Sequence, residues 1–129
     1  MAKSRRSTRK TGWARTKWYP LKWHPAYYKR QGKDDIKFVT FTHSDEVKFD
    51  NDDRERTTQL NVNINRKKKG EKDFSHVVPR VYQGKRSALG KETDEFRLDK
   101  SDFDKVDSVF RNGKVYPVPY TSNSKKKKP

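Results

Sequence analysis

Hydrophobic residues are confined to the middle of the chain. Of its 23 Leu, Ile, Val and Phe residues, 22 fall between Ile36 and Val118. Within that span the dominant period is two. The stretch 35–43 is β-branched and aromatic, with Ile36 and Phe38 on one face and Val39 and Phe41 on the other. It reads as a strand covered on both sides. Val47 and Phe49 form a short alternating pair. The run 60–65 alternates, with Leu60, Val62 and Ile64 inward, as a half-buried strand does. Phe74 to Tyr82 reads as a further strand, which Pro79 restricts to an edge or a bulge. Tyr27 and Tyr28 open an earlier strand, and Lys114 to Val118 closes the sheet within limits set by Pro117 and Pro119.

One segment changes period. Phe103, Val106, Val109 and Phe110 fall on a single stripe of a helix over Asp102–Asn112. Ser101 suits its N-cap, Asp102 and Asp104 its first turn, and Gly113 a left-handed C′ position. So short a helix must dock its stripe on a sheet. The expected fold is mainly β (α+β). It is a small, strongly curved antiparallel sheet, or an SH3- or OB-like barrel, with one C-terminal helix. No repeat of 20–50 residues is visible.

Charge divides the chain where hydropathy does. The 129 residues include 33 Lys and Arg against 17 Asp and Glu, a net +16. Residues 1–30 hold 10 basic and no acidic residues, and residues 114–129 hold 5 and none. The intervening stretch holds 18 and 17. Three parts are expected: a basic, Trp-rich flexible arm (1–23), a small β-rich domain (24–120) and a disordered Lys-rich tail (121–129). Such an excess points to a polyanionic partner. No run approaches a membrane span, and no apolar run follows the basic start as in a secretory leader. A cytoplasmic, nucleoid- or ribonucleoprotein-associated protein is expected. With no cysteine, disulfides, thiol nucleophiles and Cys-bound zinc are excluded.

Three segments carry candidate chemistry. The first holds all three tryptophans, Trp13, Trp18 and Trp23, five residues apart among Arg15, Lys17 and Lys22. That spacing matches neither one helical face nor one strand face, and Pro20 and Pro25 oppose a helix. Extended basic chain with projecting indoles suits phosphates and unpaired bases. Arg5, Arg6, Arg9, Lys10, Trp13, Arg15, Lys17, Trp18 and Lys22 are therefore candidate nucleic-acid contacts. A tryptophan plugging the core is the structural alternative, and an interfacial membrane segment is a third. The second segment, Arg66, Lys67, Lys68 and Lys69, reads as a basic hairpin loop able to straddle phosphates. The third, Gly84 to Glu92, has five residues between its glycines and Glu92 after Lys91. A P-loop needs four, then Ser or Thr after the Lys. Nucleoside triphosphate hydrolysis is excluded, while Lys85, Arg86 and Lys91 remain candidate backbone contacts.

Catalytic signals are sparse. His24, His43 and His76 lie 19 and 33 residues apart, without the spacing of a local metal motif. A metal-independent ribonuclease would pair His43 or His76 with Arg80 or Arg86. Asp35 with Glu46 and Lys48 has only the outline of a metal-dependent nuclease site. The acidic run Asp45 to Glu55 lacks the spacing of a calcium loop and reads as solvated loop. No catalytic residue, metal or cofactor is assigned.

The order His24-Pro25, Gly32, Thr42-His43-Ser44, an Asn-rich strand, Pro79 and the Gly84–Lys91 loop resembles small uncharacterised proteins of bacterial phages and mobile elements. The expected barrel is also similar to the PemK/MazF-like endoribonuclease toxins. Gly32-Lys33-Asp34-Asp35 stands where those carry an RGD-type start, and there is no Arg-Pro, so no catalytic residue carries over. The expected function is non-enzymatic binding of DNA or RNA through basic loops and the basic, aromatic arm. The alternatives are a small metal-independent endoribonuclease and a protein-interaction module acting on a host factor or within a nucleoprotein assembly.

Overall fold

A computed structural model describes residues 10–17, 24–48, 54–64 and 75–118. Nine strands, one α-helix and one 3-10 turn (Arg86–Ala88) are present among them: β1 Thr11–Arg15, β2 Pro25–Arg30, β3 Asp35–Thr42, β4 Glu46–Lys48, β5 Arg54–Arg56, β6 Thr58–Gln59, β7 His76–Val77, β8 Arg80–Lys85, α1 Lys100–Asn112 and β9 Lys114–Pro117. β1, β2 and β3 form an antiparallel meander. The first half of β3 pairs with β8, and its last two residues pair with β7, which carries β6. β9 joins the far side of β8. The sheet of seven strands stays open: among the described residues no closed barrel forms, because β1, β6 and β9 each pair with a single named strand of the sheet.

β3 is covered on both faces, as its composition requires. On one face Val39 and Phe41 join Trp13, Val77 and Val81, and the core is completed by Leu60, Ile64, Phe96 and Val106 of α1. Val109 and Phe110 pack against it. On the other, Ile36 and Phe38 join Ala14, Ala26, Tyr28, Tyr82, Leu89 and Val118. The mainly β fold with one docked C-terminal helix is thus observed.

Several expectations are corrected. The folded unit includes β1, inside the stretch read as flexible arm, because Trp13 and Ala14 are apolar enough to bury against β2 in spite of the surrounding charge. The β8–β9 pair is parallel, since α1 intervenes as a crossover. α1 begins at Lys100 and is capped by Asp99, whose side chain accepts from the Asp102 N–H at 2.8 Å. Ser101, expected at the cap, instead donates to Asp99 Oδ1 at 3.0 Å. Gly113 is extended (φ −72°, ψ 149°), not left-handed. Glycine suits it for a steric reason: a Cβ there would lie 2.6 Å from the Val109 carbonyl oxygen.

The run 60–64 is irregular although Leu60 and Ile64 are buried. Side chains replace the ladder: the Asp102 carboxylate takes the N–H groups of Asn61 and Val62, and Ser75 Oγ takes that of Ile64. Pro79, expected to confine one strand to an edge or a bulge, instead separates two strands, β7 and β8, each paired on both sides, with the Arg80 N–H turning back to Val78 O at 2.8 Å between them. The described ends of Asp45–Glu55 are not loop but the two-stranded β4–β5 ribbon, in which Glu46 faces Arg56, a favourable cross-strand pair.

Candidate nucleic-acid interface

β1 is where two of the candidate segments meet. The N–H of Thr93 donates to Trp13 O at 2.9 Å and that of Gly90 to Arg15 O at 2.8 Å. Bridges join Trp13 to Thr93 and Thr16 to Leu89. Residues 89–93 therefore run antiparallel along the outer edge of β1 and carry Lys91 abreast of Arg15. Lys10 and Lys17 stand at the two ends of the strand, about 23 Å apart at ~3.3 Å per residue. All three lysines are exposed and carry no ion pair among the described residues.

The other cations of this strip are already engaged. Arg15 Nη2 lies 3.2 Å from Glu95, and its guanidinium sits over the Phe96 ring. Lys85 donates to Asp35 at 2.9 Å. Arg86 donates to Gly90 O at 2.8 Å and covers the Tyr28 ring. These three are weaker candidates for phosphate than the lysines, because a new anion must compete with an existing acceptor.

Trp13 is not a stacking platform. Its indole is 9% exposed and packs against Tyr27, Phe41 and Phe96 at centroid distances of 5.1, 5.2 and 5.4 Å. The flanking Gly12 and Ala14 are the missed signal. Both lie against the Tyr28 side of β2, and a Cβ at Gly12 would strike the Tyr28 ring. Small residues on either side of the tryptophan let the opposite face of β1 approach Tyr28 closely, so that the strand is covered on both faces.

A polar cluster that sequence reading did not find fixes the strip. The buried Tyr28 hydroxyl donates to Glu92 Oε1 at 2.5 Å, and Arg86 stands 4.0 Å from the same carboxylate. Burial, then the hydrogen bond and charge of Glu92, raise the Tyr28 phenol above its ordinary pKa, against a smaller lowering by Arg86. The cluster ties residues 86–92 to β2 and so holds Lys91 beside β1.

The histidines gather around the end of β3. His76 lies opposite Thr42, and His24 Nδ1 is 3.1 Å from Phe41 O. A carbonyl only accepts, so that nitrogen donates. Thr57 Oγ1 donates to Ser44 O at 2.7 Å and is 3.0 Å from His76 Nδ1, so the buried His76 ring donates there too. His43 is exposed. Among the described residues no group of three or more His, Asp or Glu could hold a metal. Arg80, considered with these rings for phosphate binding, is 8% exposed and donates to Glu55 at 2.9 Å under the Tyr116 ring.

Arg5, Arg6, Arg9, Trp18, Lys22, Arg66, Lys67, Lys68 and Lys69 lie outside the described residues. The chain leaves the described part at Ile64 and re-enters at Ser75, and these two buried residues are joined by the Ile64 N–H to Ser75 Oγ bond at 3.0 Å. No helix among the described residues is long and apolar enough to cross a membrane. Comparison with protein-family models, with curated proteins and with solved structures finds no match, so function rests on the residues themselves.

Proposed function

We propose that this protein binds nucleic acid, without catalysis, through phosphate contacts along the β1 edge. The observation that carries the reading is the row Lys10, Lys91 and Lys17: three exposed lysines without ion pairs among the described residues, two flanking β1 and the third brought beside it from a distant part of the sequence. Basic sequence adjoins both ends of the row. Residues 1–9 carry four cations before Lys10, and residues 18–23 carry Lys22 after Lys17. A line of three cations about 23 Å long spans several successive phosphates of a polynucleotide strand, which carries a charge every ~3.4 Å of axis, and affinity of this kind comes from counterion release and carries little sequence information. Burial of Trp13 removes one base-stacking group from the arm and shifts the weight toward phosphate.

The test is fluorescence anisotropy with labelled duplex DNA, duplex RNA and single-stranded RNA across a salt series. Binding should weaken steeply with salt, and Lys17→Gln with Lys91→Gln should make the slope shallower by about two. Undetectable binding to all three at about 50 mM salt, where such contacts are strong, would remove the reading. Metal-independent cleavage of the RNA, lost in His76→Ala, would replace it with the endoribonuclease alternative.

A further inference from the structure

A second feature lies away from the β1 edge. A groove of about 650 Å³ runs between α1, Pro79 and the start of β9. Asp104, Ser108 and Asn112, each four residues from the next, face it from one side of the helix, and Lys114 and Tyr116 face it from β9. Its volume is that of a small-ligand site.

The groups lining it divide into committed and uncommitted. Glu55 is held by Arg80, and Lys105 donates to Gln59 O at 3.0 Å. The Asp104 carboxylate, the Lys114 ammonium and the Tyr116 hydroxyl have no hydrogen bond or ion pair among the described residues. The Tyr116 ring is backed by the Arg80 guanidinium 4.2 Å from its centroid, which fixes its plane.

We propose that this groove takes one unpaired guanine nucleotide. The choice of a nucleotide rests on the nucleic-acid reading; the choice of base rests on the groove. A carboxylate accepts from two adjacent donors, and the N1–H and N2–H₂ of guanine are such a pair, whereas adenine presents an acceptor at N1. Tyr116 supplies a ring for the base to stack on. Lys114 follows the C-terminal end of α1, beyond Asn112, which is itself about 12 Å along the helix axis from Asp104; it meets the phosphate and offsets the negative end of the helix dipole there.

The test is titration of GMP, IMP and AMP into the ¹⁵N-labelled full chain, with anisotropy of G-rich and A-rich single strands in parallel. GMP should shift the amides of Asp104, Ser108, Asn112 and Lys114, IMP should bind about tenfold more weakly for its missing amino group, and AMP weaker still. The exposed substitution Asp104→Asn should abolish the preference for GMP while leaving the remaining amide spectrum in place. Equal shifts from GMP and AMP, or no shifts in the groove, overturn the guanine site. If strands of both compositions still bind equally, the phosphate-binding function stands without it; if no strand binds, that function fails as well.

Discussion

The Asp102 carboxylate, fully buried in the first turn of α1, accepts the backbone N–H of Asn61 at 2.7 and 3.0 Å through its two oxygens. It also takes the Val62 N–H at 3.2 Å, and Lys105 lies 3.7 Å away. One side chain thus locks the 60–64 segment onto the helix. Asp102→Ala would leave two N–H groups without their acceptor and should cost about 3 kcal/mol. Asn61→Ala, which keeps the backbone bonds and loses only the exposed amide bond to Ser101, should cost under about 1 kcal/mol. Urea melts of the two variants decide this, and equal losses would deny the clamp.

Trp13 separates core from ligand contact. Its burial among three aromatic rings predicts that Trp13→Ala costs about 3–5 kcal/mol. Trp13→Phe keeps an aromatic ring in the cluster and should retain the fold with a smaller loss. Nucleic-acid affinity of the folded Trp13→Phe variant should equal that of the parent. A drop in affinity at unchanged stability would mean that the indole meets bases after all.

The legible parts of this fold were those where a local pattern and its tertiary use agree. β3 is apolar on both parities and is buried on both faces, and the α1 stripe docks as its spacing demands. The illegible parts share one physical cause, which is that a distant group settles them. The alternation of Leu60, Val62 and Ile64 gave burial correctly, yet no ladder forms, since Asp102 and Ser75 satisfy the backbone instead. Asp99 and Ser101 are equally good caps by type, and only the chain path chooses between them. β1 was hidden by its charged surroundings. The meeting of Lys91 with Arg15 depends on residues 89–93 returning to β1, for which neither segment carries a local sign.

Tyr28 and Tyr82 predict an alkaline limit to stability. Burial is the leading cause of the raised phenol in each, joined at Tyr28 by Glu92 and opposed at Tyr82 by Arg80. A phenol raised in the folded state stays protonated there after its unfolded counterpart ionises. The folded state then binds more protons, so stability is fully present below about pH 10 and falls as pH rises through the folded values. Tyr28→Phe and Tyr82→Phe should each flatten that fall above about pH 10. Denaturant midpoints across this range measure it, and a fall identical in both variants and the parent would exclude these two groups as its source.

The division between arm and domain determines which truncation is informative. Cutting after Trp23 would delete β1, and with it the indole at the centre of one core, so a loss of binding would report unfolding. Cutting after Arg9 leaves β1, the Lys10–Lys17 row and every described contact in place. It removes Lys3, Arg5, Arg6 and Arg9, four cations and no acid. If all four meet phosphates, the slope of log affinity against log salt should become shallower by about 3.6 on duplex DNA. The thermal midpoint should stay unchanged, because none of the described packing is lost. A slope unchanged by the cut would place the electrostatic contact wholly on the folded unit and beyond it, at Lys10, Lys17, Lys91 and the later basic segments. A lowered midpoint would show that residues 1–9 also support the sheet. The pair of measurements thus separates what the arm contributes to binding from what it contributes to folding.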